Sequence, residues 1–259
     1  MTSPIHDSDA DSNDLQTAHG TALPKHDDFG FLIRFIEWSC LLAGVGLLVV
    51  QIIRFGLHVQ EWSWWYLPVA VLAIITADFL SGMVHWFADT WFDQDMPILG
   101  RRFLRPFRVH HLNPNDILRR DFVDINGDTA IPIIPALIAV FWIPLEVEVG
   151  QFCCVYLLIL CGAALPTNQI HQWAHSSKPP HVVRWLQDRK LILSRRDHLR
   201  HHAPPHNTDY CITLGWCNPI LASVSFFPHL EKWITKLTGL QPRSDEESMR
   251  CSLQKRSNQ

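Results

Sequence analysis

Residues 65–91, WYLPVAVLAIITADFLSGMVHWFADTW, decide the fold. At ~1.5 Å rise per residue this stretch reaches about 40 Å as a helix, enough to cross a hydrocarbon core of about 30 Å and emerge at both interfaces. Trp62, Trp64, Trp65 and Tyr66 stand at its start and Trp86 and Trp91 at its finish, where amphipathic rings settle in a bilayer. Inside it Asp78, His85 and Asp89 are spaced i, i+7 and i+11, so on a helix they share one narrow face with Ser81 and Gly82. Ionisable groups at membrane depth are costly and turn toward a protein interior. The stripe is therefore either a functional site or a buried Asp–His pair that joins helices.

Working outward, Trp38–Ile53 is uncharged and apolar and extends to a span between Phe31 and Phe55. Ile131–Leu145 and Phe152–Leu165 are shorter. Pro132, Pro135 and Pro144 predict that this pair forms a kinked or incompletely inserted hairpin. The fold expected is an all-α integral membrane protein of about four transmembrane helices, with a cytoplasmic helical cap that carries a histidine-rich di-metal site. Of the 22 Lys and Arg, only Arg54 falls in the two short loops 54–64 and 146–151. The excess of positive charge on the other side places both termini and the large loop 92–128 in the cytoplasm.

The chain is 47% hydrophobic and 18% charged, too apolar for a disordered protein. Its net charge of −3 gives no basic excess to hold a phosphate backbone, which argues against a nucleic-acid partner. Residues 1–29, with Asp7, Asp9, Asp11, Asp14, Asp27 and Asp28, read as a disordered acidic tail. They resemble neither a secretory leader nor a transit peptide. Residues 30–243 form the working domain and 244–259 a flexible tail. The seven cysteines include no C-x-x-C pair, and four lie in apolar runs, so they read as small buried residues of a reducing compartment.

Histidine carries the chemistry. His171 and His175, four apart, are neighbours on one helix face and can converge on one metal or on adjacent metals, with Asn168 on the same face as a hydrogen-bonding support. His198, His201 and His202 fall within one third of a helix circumference, although surface histidines among Arg195, Arg196 and Arg200 would have the same pattern. His110 and His111 point about 100° apart, so they serve two metals, or only one of them is a ligand, or both are loop residues. His206 lies beyond Pro204 and Pro205 and is a reserve candidate. With His85, eight rings start from segments that emerge at one membrane face. Eight exceeds the ligand set of a single zinc, so two metals fit the number better. Arg105 and Arg108, with Arg101 and Arg102, are topology determinants or weak candidates for a lipid headgroup.

Imidazole alone does not name the metal. A hydrocarbon chain arriving from the bilayer, however, offers neither an acidic proton nor a leaving group, and inert C–H bonds call for oxygen activated by redox-active iron. The motifs ADFLSGMVHWFADTW (77–91), RPFRVHH (105–111), TNQIHQWAH (167–175), HLRHH (198–202) and CIT (211–213) resemble the Kua or plasmanylethanolamine desaturase family, over about residues 30–243. The resemblance implies two iron ions held by the eight histidines His85, His110, His111, His171, His175, His198, His201 and His202. It also implies O2 as co-substrate and electrons from NAD(P)H through cytochrome b5 or a ferredoxin-like carrier. Asp89 matches an acidic position beside the first histidine and is expected to serve catalysis, with Asn168 in support. The family's reaction converts the 1-O-alkyl chain of an ether phospholipid to a vinyl ether, and a plant relative desaturates an acyl chain instead. Partners would be a membrane phospholipid and a small electron-transfer protein, in the endoplasmic reticulum of a eukaryote or the inner membrane of a bacterium. An acyl-lipid desaturase or hydroxylase of the same site type, and a non-catalytic metal- or lipid-binding membrane protein, are the alternatives.

Overall fold

The computed structural model describes residues 30–92, 96–97, 100–203 and 206–243, apart from the side chains of Arg101, Arg102, Arg108, His110 and Leu112. Both expected tails lie outside the described residues. Every regular element among these residues is helical: α1 (Phe31–His58), α2 (Tyr66–Thr90), α3 (Arg105–Leu112), α4 (Phe122–Ala139), α5 (Glu148–Ala164), α6 (Thr167–His175), α7 (His181–Asp188), α8 (Arg195–His201), α9 (Asn218–Ser223) and α10 (Phe226–Thr238). Four segments are long and apolar enough to cross a membrane: α1, α2, Phe122–Trp142 and Glu148–His175. Leu42, Val49, Ile53, Val71 and Leu72 are exposed along α1 and α2, which is the surface a chain solvated by lipid presents. Trp64 and Trp142, each 76% exposed, mark the end of the bundle remote from the histidines.

α1 packs along α4, and α2 along α5. The α1–α4 approach is close because Gly127 has no side chain: a Cβ there would lie 2.7 Å from the Glu37 Cβ and 3.0 Å from its Cα. The third and fourth spans are longer than the apolar runs suggest. The third starts at Phe122, nine residues before the predicted start, because Asp121 caps it by accepting from the backbone N–H of Val123 and Asp124 at 3.0 Å each. Its polar first turns are buried in protein, so they do not break the span. Asn126 Nδ2 donates to the Phe122 carbonyl at 2.7 Å and to Gln169 Oε1 at 3.2 Å.

Pro132 and Pro135 sit inside α4 without ending it. At its far end, Gln51 Nε2 donates to the Leu137 carbonyl at 3.0 Å, and Arg54 donates to the carbonyls of Val140 and Ile143 at 2.9 and 2.8 Å. Arg54, the one Lys or Arg that the sequence assigns to the short loops, lies in the last turns of α1 and is thus a cation at the C-terminal end of α4, where the aligned peptide dipoles favour it. The fourth span runs past Leu165, with Pro166 tolerated at the start of α6, and carries His171 and His175 at its end.

Gly127→Ala should lower the thermal midpoint of the detergent-solubilised protein. Alanine gains about 1 kcal/mol in helix propensity, but a methyl driven against the α1 backbone costs about 1–3 kcal/mol. A midpoint equal to or above wild type would show that the two helices are not in such close contact.

Candidate metal centre

Four helices deliver the candidate ligands. His85 and Asp89 lie on the last turns of α2, His111 near the end of α3, His171 and His175 on α6, His198 and His201 on α8, and His202 at the α8 C-cap. α8 is only seven residues long and depends on its start. Ser194 Oγ accepts from the Asp197 backbone N–H at 3.1 Å and donates to the Asp197 carboxylate at 2.7 Å. One face of α8 then buries His198 and His201, while Arg195, Arg196 and Arg200 remain exposed.

The donor atoms form two groups, His171, His175, His198 and His202 in one and His85, Asp89, His111 and His201 in the other. In the first, Nε2 of His198 lies 3.0 Å from that of His171, 2.8 Å from that of His175 and 3.0 Å from that of His202, while His171 and His175 are 3.2 Å apart. In the second, Asp89 Oδ2 is 3.0, 3.2 and 3.4 Å from Nε2 of His111, His85 and His201. His111 and His201 approach each other to 3.2 Å. The His85 and His171 ring centroids, 5.5 Å apart, join the groups into one centre.

Hydrogen bonds alone cannot satisfy this arrangement. A ring nitrogen either carries a proton and donates or lacks one and accepts, so among three mutually adjacent nitrogens at least one pair must be alike. Nε2 of His171, His175 and His198 form such a triangle. The second group meets the same conflict another way. His85 Nδ1 donates to the Tyr210 carbonyl at 3.0 Å and His201 Nδ1 to the Thr208 carbonyl at 2.8 Å, since a carbonyl can only accept. In neutral His201 this leaves the Nε2 lone pair facing the Asp89 carboxylate, 3.4 Å away. His201 is neutral at physiological pH, because burial and then the neighbouring His85 pull it down to about 3. A cation within each group converts every repulsive contact into a bond, and donor spacings near 3 Å match adjacent ligands about 2.0–2.1 Å from a first-row metal. The residues fit a pair of metal ions.

The segment 206–217 braces the centre from outside. Besides the two carbonyls, it sends the backbone N–H groups of Leu214 and Gly215 to Asp78 Oδ1, each at 2.8 Å, and that of Cys217 to Asp78 Oδ2 at 2.9 Å. Asp78 is fully buried and belongs to the same stripe as His85, but its carboxylate serves backbone amides seven residues from that histidine. Ser81 Oγ accepts from the Ile212 N–H at 3.0 Å, and the Thr167 and Thr213 hydroxyls meet at 2.8 Å. Three thiols that sequence reads as apolar filler, Cys154, Cys161 and Cys211, are buried, and all six described cysteines are free.

Seven of the eight histidines singled out from sequence converge, and the His110 side chain lies outside the described residues. Asp89, read as an acidic companion to His85, lies among the donor atoms of the second group. Asn168 braces α6 against α4, donating to the Ile125 carbonyl at 3.1 Å and to Thr129 Oγ1 at 2.9 Å. Arg105 is half-buried at the start of α3, and the Arg108 side chain lies outside the described residues. His206 stays outside both groups, its Nδ1 donating to the His201 carbonyl at 3.1 Å. Sequence reading missed the carbonyls of Thr208 and Tyr210, which no side-chain pattern encodes.

Fold and site together define an all-helical membrane protein whose buried imidazoles can hold metal beside its apolar spans. A family model described as a lipid desaturase domain matches residues 74–245. The chain is 39% identical over 214 residues to plasmanylethanolamine desaturase of Myxococcus xanthus, covering 83% of this chain and 76% of that one. It is 39% identical over 225 residues to plasmanylethanolamine desaturase 1 of Mus musculus, covering 82% and 81%. It is 34% identical over 181 residues to the chloroplastic fatty acid desaturase 4 of Arabidopsis thaliana, covering 67% and 53%. No solved structure matches it. The chain belongs to the lipid desaturase family, as a desaturase-type oxidoreductase that acts on lipid.

Burial, followed by neighbouring imidazoles, pushes His198 and His202 below the ordinary histidine range, as it does His201. A histidine kept neutral in the fold but protonated on unfolding favours the unfolded chain in acid. Metal-free protein should therefore lose stability as pH falls below about 6.5, with His201 alone contributing a slope of about 1.4 kcal/mol per pH unit. Thermal midpoints of chelator-treated protein between pH ~7.5 and ~5 test this, and a flat or rising profile in acid would contradict it. Separately, Asp78→Asn replaces an acceptor of three N–H groups with an amide whose NH2 opposes one of them. It should cost about 2–4 kcal/mol and lower metal retention, read by thermal melt and metal analysis; unchanged values in both would remove Asp78 from the brace.

Proposed function

We propose that the protein is a di-iron lipid desaturase that introduces the vinyl-ether double bond into the 1-O-alkyl chain of an ether phospholipid, plasmanylethanolamine to plasmenylethanolamine. The observation that carries this reading is the pair of four-donor groups, seven imidazoles and one carboxylate, joined at the inner ends of apolar spans. The relatives that share 39% identity over most of the chain bear the name of that activity. His171, His175, His198 and His202 would hold one iron, and His85, Asp89, His111 and His201 the other.

Bound iron would supply the reductive activation of O2 that an unactivated C–H bond requires. The overall change removes two hydrogens from adjacent chain carbons and reduces O2 to two waters, which needs two electrons and two protons from outside. NAD(P)H, through cytochrome b5 or a ferredoxin-like carrier, is the proposed electron source. The chain's own residues orient and insulate. Tyr210 and Thr208 carbonyls hold His85 and His201 with Nε2 turned inward, and Asp89 offsets cationic charge in a buried setting. Complete burial of His85 and His201 keeps bulk water from their ring nitrogens. The excess of Lys and Arg on the histidine side supports an orientation with both termini in the cytoplasm.

Expression in an ether-lipid-containing host that lacks plasmalogens should yield acid-labile vinyl-ether phospholipid, detected by lipid mass spectrometry. His175→Ala should abolish it with protein level retained, and the purified wild type should hold about two irons per chain. Hydroxylated or acyl-unsaturated lipid in place of the vinyl ether would move the activity to the plant-type reaction or to hydroxylation. One zinc and no iron would end the reading.

A further inference from the structure

A small cavity, open on one side, lies between the 3-10 turn Asp116–Arg119, α3, α4 and α6. Phe107, Ile117 and Ile125 give it apolar walls, and Arg120, Asn168, the candidate ligand His171 and Asp116, whose carboxylate pairs with Arg119, also line it. Its volume is about 50 Å³. A cavity of about 150 Å³ takes one benzene, so this one admits only a few heavy atoms between the arginine and the metal centre. The arginine is held in place without being used up. Gln172, next to His171, donates through Nε2 to the carbonyls of Ile117 and Arg120 at 2.8 and 2.9 Å, fixing the turn to the helix that carries the ligands. The Arg120 side chain is 18% exposed, and its protein partner is Asp124, 3.7 Å away, beyond hydrogen-bond reach. Its guanidinium therefore retains donors for an anion, in the planar fork that suits phosphate.

We propose that Arg120 binds the phosphate of a phospholipid and that this cavity admits only the first few atoms of the attached chain, so that only chain carbons next to glycerol reach the metal centre. The proposal rests on the desaturase reading and deepens it to a specificity device. In a 1-O-alkyl glycerophospholipid six bonds separate phosphorus from the first chain carbon, roughly 7–8 Å when extended. Arg120 and His171 line one small cavity, which keeps the proposed phosphate site close to the candidate ligand. A double bond in the middle of a chain would need a long apolar tunnel between them.

The test uses the purified full-length chain in detergent, metal-free and iron-loaded, with binding followed by tryptophan fluorescence. A short-chain 1-O-alkyl-glycerophosphoethanolamine and the corresponding phosphate-free 1-O-alkylglycerol are the probes, with inorganic phosphate as a third arm. Arg120→Gln should weaken the phospholipid at least about tenfold and leave the alkylglycerol unchanged, with Arg120→Lys intermediate. Ile117→Trp, which fills the cavity without altering charge, should weaken both lipid probes. Iron content should stay at the wild-type level in all three variants. Phospholipid binding unchanged in Arg120→Gln and Ile117→Trp overturns the proposal, as does inorganic phosphate binding as tightly as the lipid. If wild type makes no vinyl ether yet Arg120 still governs phospholipid affinity, the desaturase reading fails and the binding site stands.

Discussion

The structure depends on bringing imidazole nitrogens to within about 3 Å of one another in a buried place. Such crowding is unfavourable for neutral rings, which cannot all pair as donor and acceptor, and worse for protonated ones, which repel. Only a cation at the centre of each group makes the contacts mutually supportive. The triangle of His171, His175 and His198 and the His201 Nε2 facing Asp89 express the same demand. The fold without metal is thus stressed at its candidate site, and a metal bound there would contribute to folding as well as to chemistry.

That stress has to be held by something stiff. The spans supply direction: helices α2 and α6 carry candidate ligands at turn spacing, so one helix contributes two donors to the same group. The segment 206–217 supplies the tie, because it touches α2 at Asp78, Ser81 and His85, α6 at Thr167 and α8 at His201. Asp78 is the anchor of that tie. Its carboxylate takes three backbone amides that no helix or sheet would otherwise satisfy, which explains an acid deep in an apolar helix without giving it a catalytic part.

Much of the site was legible because metal binding constrains residue type and spacing. The i, i+4 pair at 171 and 175 and the cluster 198–202 have few other uses at such density, and the stripe through Asp78, His85 and Asp89 shows on any helical projection. What sequence left undivided was labour along that stripe. Asp78 and Asp89 look equivalent on the helix, yet one meets amides and the other meets imidazoles, because the partners come from segments more than a hundred and from twenty-two residues away. The third span was underestimated for a related reason. Hydropathy discounts Asp124 and Asn126, whereas burial against neighbouring helices lets polar turns lie within a span.

Composition and periodicity by themselves determined an all-helical membrane chain with its histidines at one end, since bilayer thickness sets helix length and the 3.6-residue turn sets which residues share a face. Tertiary structure alone decided how the donors divide into two groups, that Asp89 joins one of them, and that Arg120 and His171 line a single small cavity. Those outcomes depend on which backbone carbonyls and amides arrive from distant segments. Backbone groups are the same at every position, so no pattern of side chains announces them.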